Sequence, residues 1–349
     1  MKENFLFRKT LGLFVKTKGL LSRPIFGGLG HIFMLHRVLP ESLRNLYIIN
    51  RDLAITPEFL EESINFFRGQ GYVFLSLDEV SQILSSGNRP KHKFICFTLD
   101  DGYRDNLEFG FPIFQKLGVP ITIYVTNCFP NSTAILWWYM LEKVILEQNS
   151  FRLNTPQGVK KLEWNNESDG LICFHQIRNT IRQLPKAEFR TVVLDAFGTN
   201  ESDLLEMNEG LFLSWNEIRQ LNTDSLVTIG AHTMNHLSLS SLSNDEIEFE
   251  VLTSKFELEQ HISKPVNHFA YPYGGKEDAY QREYQMISRM GFKTATLNIP
   301  GNIFQCQSEH QECLPRIPFG NSTSKEKIHQ ILTGINHFSS NGFKRTFND

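Results

Sequence analysis

Along most of this 349-residue chain, apolar β-rich runs alternate with amphipathic helical stretches, and this alternation constrains the fold more than any other feature. The runs "GHIFMLHRV" (30–38), "KFICFTL" (93–99), "ITIYV" (121–125), "LVTIGA" (226–231), "HFA" (268–270) and "KTATLNI" (293–299) read as strands. Between them lie helices with their own start signals. Thr56 precedes Pro57 at the first helical position, and Ser76–Glu79, Ser214–Glu217 and Ser243–Glu246 are capping boxes. Short, continuously apolar strands separated by helices belong to parallel sheets covered on both faces. The spacing therefore predicts an α/β fold built on a parallel sheet or barrel. Residues 131–213 break the pattern. "AILWWYMLEKVILEQ" is apolar and helical, and the polar, helix-favouring segments that follow show no clear strands. This stretch is expected to be a mostly helical insertion within a main domain spanning 30–335, flanked by a basic segment (1–29) and a polar tail (336–349).

With 41% hydrophobic residues there is ample material for one large core, and a net charge of −3 argues against a nucleic-acid partner. Cys96, Cys128, Cys173, Cys306 and Cys313 are odd in number and match neither a zinc knuckle nor a disulfide framework, so reduced thiols in a cytoplasmic protein are expected. In the first 26 residues Lys2, Arg8, Lys9, Lys16, Lys18 and Arg23 break up any secretory apolar core. Apolar residues alternate with those cations at helical spacing. Two readings stand, a helix packed on the domain or a peripheral contact with the inner membrane face.

In parallel α/β architectures the C-terminal strand ends face the site. Four polar signals fall at such ends: His36, the pair Asp100–Asp101, His232, and the turn at 271–274. Adjacent carboxylates at the end of a buried strand repel each other and lose hydration, so something must compensate them. His232 and His236 in "GAHTMNH" lie four apart and reach one ion if the loop turns helically. With Asp101 they complete a two-His, one-carboxylate set with open positions, the pattern of a catalytic metal. A dication would neutralise Asp101 and favour the ionised form of Asp100. Successive strand residues point to opposite sides, so one Asp binds metal while its neighbour faces water as general base.

"FTLDDGYRDN", "GAHTMNH" and "FAYPYGG" resemble the first three motifs of the polysaccharide deacetylases, carbohydrate esterase family 4 (the NodB-homology domain). The resemblance extends to "MLHRV", "FPIFQKLGVPITIYV", "LSWNEIRQL" and "LPRI", over about residues 30–130 and 214–320. It implies a distorted (β/α) barrel that hydrolyses N- or O-acetyl groups on sugars with a divalent metal, commonly Zn2+. By position it makes Asp100 the general base and Asp101, His232 and His236 the metal ligands. Pro272–Tyr273 becomes the turn whose backbone N–H helps stabilise the oxyanion.

Two departures follow. The third motif lacks the Arg that in many members orients the catalytic Asp; Arg316 in "LPRIPF" is the candidate to take its place at the substrate site, with a purely structural ion pair as the equal alternative. The C-terminal Leu-x-His motif has no convincing copy. "MLHRV" resembles the first strand of the poly-N-acetylglucosamine deacetylase branch, which makes His36 the candidate acid. Trp137, Trp138 and Tyr139 read first as insertion core, with sugar stacking as the alternative. The expected partner is an acetylated glycan or glycolipid, or a lipid- or nucleotide-linked precursor of surface polysaccharide. A non-catalytic glycan-binding protein on the same barrel is the alternative. A non-haem iron oxygenase fits less well, because its usual order places His-x-Asp together and the second His far downstream.

Overall fold

A computed structural model of the chain describes residues 27–44, 48–320, 328, 331 and 332. The basic N-terminal segment lies almost wholly, and the 336–349 tail wholly, outside these described residues. Twelve strands occur among them: β1 (Gly30–Leu35), β2 (Arg37–Val38), β3 (Ala54–Ile55), β4 (Val73–Phe74), β5 (Phe94–Leu99), β6 (Ile121–Val125), β7 (Ser150–Thr155), β8 (Gly158–Glu163), β9 (Val227–Ala231), β10 (His268–Ala270), β11 (Thr294–Thr296) and β12 (Ile317–Pro318). The main sheet runs β11-β10-β9-β6-β5-β1-β12, with β4 beside the start of β5. Every pairing in it is parallel. The ends of this row approach each other. Leu314 N–H donates to Ala295 O (2.8 Å), Leu297 N–H to Leu314 O (2.9 Å) and Arg316 N–H to Ile299 O (3.2 Å). The segment leading into β12 thus links back to β11, and the sheet curls into a distorted half-barrel with helices outside.

The strand pleat sorts the core. Ile95, Phe97 and Leu99 of β5 pack outward with Phe33 and Leu35 against the surrounding helices. Phe94 and Cys96 point inward with Ile32, Tyr124 and Ala270. All residues of β1, β5 and β6 are buried, which is why these strands read as unbroken apolar runs. The helix Pro57–Gly69 begins at Thr56, whose side chain accepts from Phe59 N–H. The boxes at Ser76, Ser214 and Ser243 open the helices Leu77–Ser86, Trp215–Leu221 and Asn244–Ile262. Among the described residues no helix is long and apolar enough to cross a membrane.

Between 131 and 213 the helices Trp137–Glu147, Glu167–Arg182, Lys186–Phe197 and Glu201–Asn208 form around their own apolar cluster. The sequence shows no clear strands here, yet β7 and β8 form an antiparallel hairpin beside the helices. Only β7 carries the alternation that marks a half-buried strand, with Phe151 and Leu153 inward. β8 (GVKKLE) is almost wholly exposed and polar, so its sequence has no apolar period to detect.

Candidate active site

The inward parity of β5 continues through Phe94, Cys96, Thr98 and Asp100. Asp100 therefore points into the barrel, where Arg316 meets it. Arg316 Nη1 donates to Asp100 Oδ1 (2.5 Å) and to Thr98 Oγ1 (3.1 Å), Nη2 to Asp100 Oδ2 (2.7 Å) and Nε to Leu297 O (3.0 Å). The guanidinium is fully buried. It reaches the site only through Asp100, so its geometry is that of a positioning group and not of a group touching substrate. Burial alone would raise the Asp100 pKa. Arg316 first, then His232 and His36, outweigh it and leave the carboxyl below its ordinary range.

Asp101 escapes the strand's alternation by a left-handed turn (φ 75°), and Gly102 follows at φ 79°. Both carboxylates therefore serve one site. Among the described residues, six non-glycine positions have left-handed φ: Asp101, Ser132, Thr233, His236, Ser263 and Tyr273. Four of them belong to this site. Such strain costs on the order of 1–3 kcal/mol per residue and clusters where function holds the backbone.

His232 follows β9, and Ala270 of the neighbouring β10 fixes its ring: His232 Nδ1 lies 2.7 Å from Ala270 O. A carbonyl only accepts, so Nδ1 carries the proton and the Nε2 lone pair is free. Burial lowers the His232 pKa to about 4, so the imidazole is neutral at physiological pH. The loop does not bring His236 round by a helical turn, as expected; left-handed residues at Thr233 and His236 do so. The buried carboxylate of Glu250 holds this loop, accepting from Asn235 N–H (2.9 Å) and Asn235 Nδ2 (2.8 Å), and is itself paired with Lys186 (2.8 Å). Glu250 carried no sequence signal beyond its place on a long helix.

The ligand atoms of Asp101, His232 and His236 all lie within 4.8 Å of one another. His236 Nε2 is 3.2 Å and His232 Nε2 3.5 Å from Asp101 Oδ1, yet that buried oxygen has no hydrogen-bond partner. Two imidazole nitrogens and an orphaned carboxylate oxygen converging in this way fit a divalent cation. Burial opposes ionisation of Asp101, but His236 outweighs it and the carboxyl sits well below its ordinary range.

His36 follows β1 and lines the same cavity, of about 140 Å³, as Asp100, Asp101, His232 and His236. Asn106 Nδ2 holds the His36 carbonyl (2.8 Å), while the next residue, Arg37, pairs with buried Asp105 (2.8 Å). The acidic motif thus braces the strand that presents His36, a role that sequence reading did not give to Arg37 or Asp105. Opposite, the Pro272–Tyr273 turn closes with Gly274 N–H donating to Pro272 O (2.6 Å). A Cβ on Gly274 would stand 2.6 Å from Asn298 N, so glycine is required there. The insertion supplies Trp137, Trp138 and Arg178 to the cavity wall. Trp137 and Trp138 are at once core of the insertion, 1% and 9% exposed, and wall of the site.

Residues 173–295 match the family model described as polysaccharide deacetylase, a span that includes the His232–His236 loop and the 271–274 turn but begins after Asp100 and Asp101. The chain is 30% identical over 73 residues to YxkH of Bacillus subtilis (strain 168), whose name assigns it provisionally to the polysaccharide deacetylases. That match covers 21% of this chain and about a quarter (26%) of the relative's length. Among solved structures, the Streptococcus pyogenes deacetylase PplD, in complex with acetate, superposes with a TM-score of 0.58 at 17% identity, covering 87% of this chain and 97% of that one. The polysaccharide deacetylase BC0361 from Bacillus cereus gives 0.53 at 18% identity, covering 87% and 68%. The barrel is the one these structures share. That barrel, together with the match of residues 173–295 to the polysaccharide deacetylase model, is what the chain has in common with this family.

Proposed function

We propose that the protein hydrolyses acetyl groups, N-acetyl foremost, from a sugar of a polysaccharide or of its lipid- or nucleotide-linked precursor. In this reading Asp101, His232 and His236 hold a divalent ion, Zn2+ foremost. The observation that carries it is Asp100, held ionised by buried Arg316 in the cavity that the three-donor cluster shares with His36. A divalent ion at this cluster supplies Lewis acidity to a carbonyl and makes nearby water more acidic. Asp100 takes the proton of the attacking water. The N–H of Tyr273, which has no partner among the described residues, donates to the carbonyl oxygen as it gains charge. His36 gives a proton to the leaving nitrogen as the C–N bond breaks, releasing acetate and an amino sugar.

Zinc-loaded protein incubated with N-acetylglucosamine oligomers is expected to release acetate, and Asp100→Asn to release none while keeping its circular dichroism. Tight oligomer binding without acetate release would overturn the proposal and favour the glycan-binding alternative. His36→Ala is expected to lower kcat by about 10²–10⁴ with zinc stoichiometry unchanged. Near-parental kcat in that variant would remove His36 from the reaction.

A further inference from the structure

The helix Glu167–Arg182 of the insertion carries Arg178 and Arg182 one turn apart, on one face. Both guanidinium groups lie over the Tyr273 ring, their carbons 5.6 Å and 4.8 Å from its centroid. Their environments otherwise differ. Arg182 is buried and paired with buried Asp278, whose other carboxylate oxygen accepts from Gly275 N–H (3.1 Å). Arg178 is half-buried, opens on the active-site cavity, and has neither a carboxylate nor a hydrogen-bond partner among the described residues.

No carboxylate pairs with it directly. Asp100 is matched by Arg316, Asp101 faces two imidazoles, Asp278 is taken by Arg182, and Asp278 and exposed Glu277 act on Arg178 only through space. A guanidinium that has lost part of its water beside a second cation is costly unless an anion joins it. Burial first, and Arg182 second, push the Arg178 pKa below its ordinary value, in keeping with that cost. Its planar fork suits two oxygens of a phosphoryl or carboxylate group.

We infer that Arg178 binds an oxyanion of the substrate: the acetylated sugar, or the residue joined to it, carries a phosphoryl or carboxylate group. This rests on the deacetylase reading and narrows its substrate class. The fold of the insertion, which presents Arg178 over the Tyr273 turn, sets the charge of the sugar that is accepted, while the barrel supplies the reacting groups.

The test compares three sugars on the zinc-loaded full chain: N-acetylglucosamine, N-acetylglucosamine 1-phosphate, and a disaccharide of N-acetylglucosamine and glucuronate. At least one charged sugar is expected to exceed the neutral one in kcat/KM by about tenfold to a hundredfold, the range of a charge-assisted hydrogen bond. The better of the two names the oxyanion as phosphoryl or carboxylate. In Arg178→Gln that ratio is expected to collapse towards one, and in Arg178→Lys to recover in part. A ratio near one in the parent overturns the inference. So does an equal fall on all three sugars in Arg178→Gln, which would make Arg178 a support for Tyr273 only. If no sugar releases acetate, the deacetylase reading fails, and calorimetric affinities of the same sugars for the parent and Arg178→Gln decide the inference by the same ratios.

Discussion

Arg316→Met is expected to lower the unfolding free energy by about 3–5 kcal/mol in urea titrations at neutral pH, the range for removing one partner of a buried ion pair. Methionine fills much of the volume, so the loss is chiefly electrostatic. Asp100, 3% exposed, would be left with only Thr98 and the imidazoles nearby. The carboxyl answers by holding its proton, and a protonated Asp100 accepts none from water. Acetate release should therefore fall, with the acid limb of the remaining activity moved to higher pH. The sign for stability follows from the lowered Asp100 pKa. The pair's contribution is complete above the usual carboxylate range and is lost as pH falls through the folded value. The gap between parent and variant should thus narrow in acid. Arg316→Met with Asp100→Asn should recover part of the loss, because neither charge is then stranded. A single variant within about 1 kcal/mol of the parent would show that the pair does not hold the strand end.

Several parts of this site could be read from residues alone. The strand ends bearing His36, Asp100, His232 and Tyr271 were visible because their strands are buried on both faces and read as continuous apolar runs. The helix starts were visible because a capping box is local chemistry. What could not be read depends on the third dimension. The partnership of Arg316 with Asp100 joins positions 216 residues apart; the family resemblance made Arg316 a candidate for it, but nothing local to either residue announces it. Strand alternation predicted opposite sides for Asp100 and Asp101; the left-handed φ of Asp101 cancels that rule, and a DDG sequence does not reveal which residue will turn. Likewise the His232–His236 spacing suggested a helical turn, whereas two left-handed residues achieve the convergence. The β8 strand was invisible for the opposite reason, since it buries almost nothing. In sequence Trp137 and Trp138 read first as core and second as a sugar platform, and the fold lets one indole pair serve as both core and cavity wall.

The second large effect concerns zinc and Asp101, and it should grow with the metal. Without metal, Asp101 Oδ1 is buried with no hydrogen-bond partner, on a residue in left-handed backbone. The carboxyl pKa is nonetheless lowered, chiefly by His236, so its ionised form favours the folded state near neutral pH. Asp101→Asn removes the charge while keeping the shape, and asparagine tolerates that backbone region. Chelator-treated Asp101→Asn is therefore expected to be less stable than the chelator-treated parent, by a gap that closes in acid. With zinc the gap widens. The donors come from distant parts of the chain and meet only in the folded state, so binding stabilises that state alone. At free zinc one hundred times the Kd the parent should gain about 2.7 kcal/mol, read as a rise in Tm, and Asp101→Asn should gain little. The gain should shrink as pH falls towards 4, where His232 takes up a proton that competes with the ion. Equal zinc-induced shifts in parent and variant would place the ion elsewhere. A variant at least as stable as the parent without metal would mean that the imidazoles do not hold the Asp101 charge in the fold.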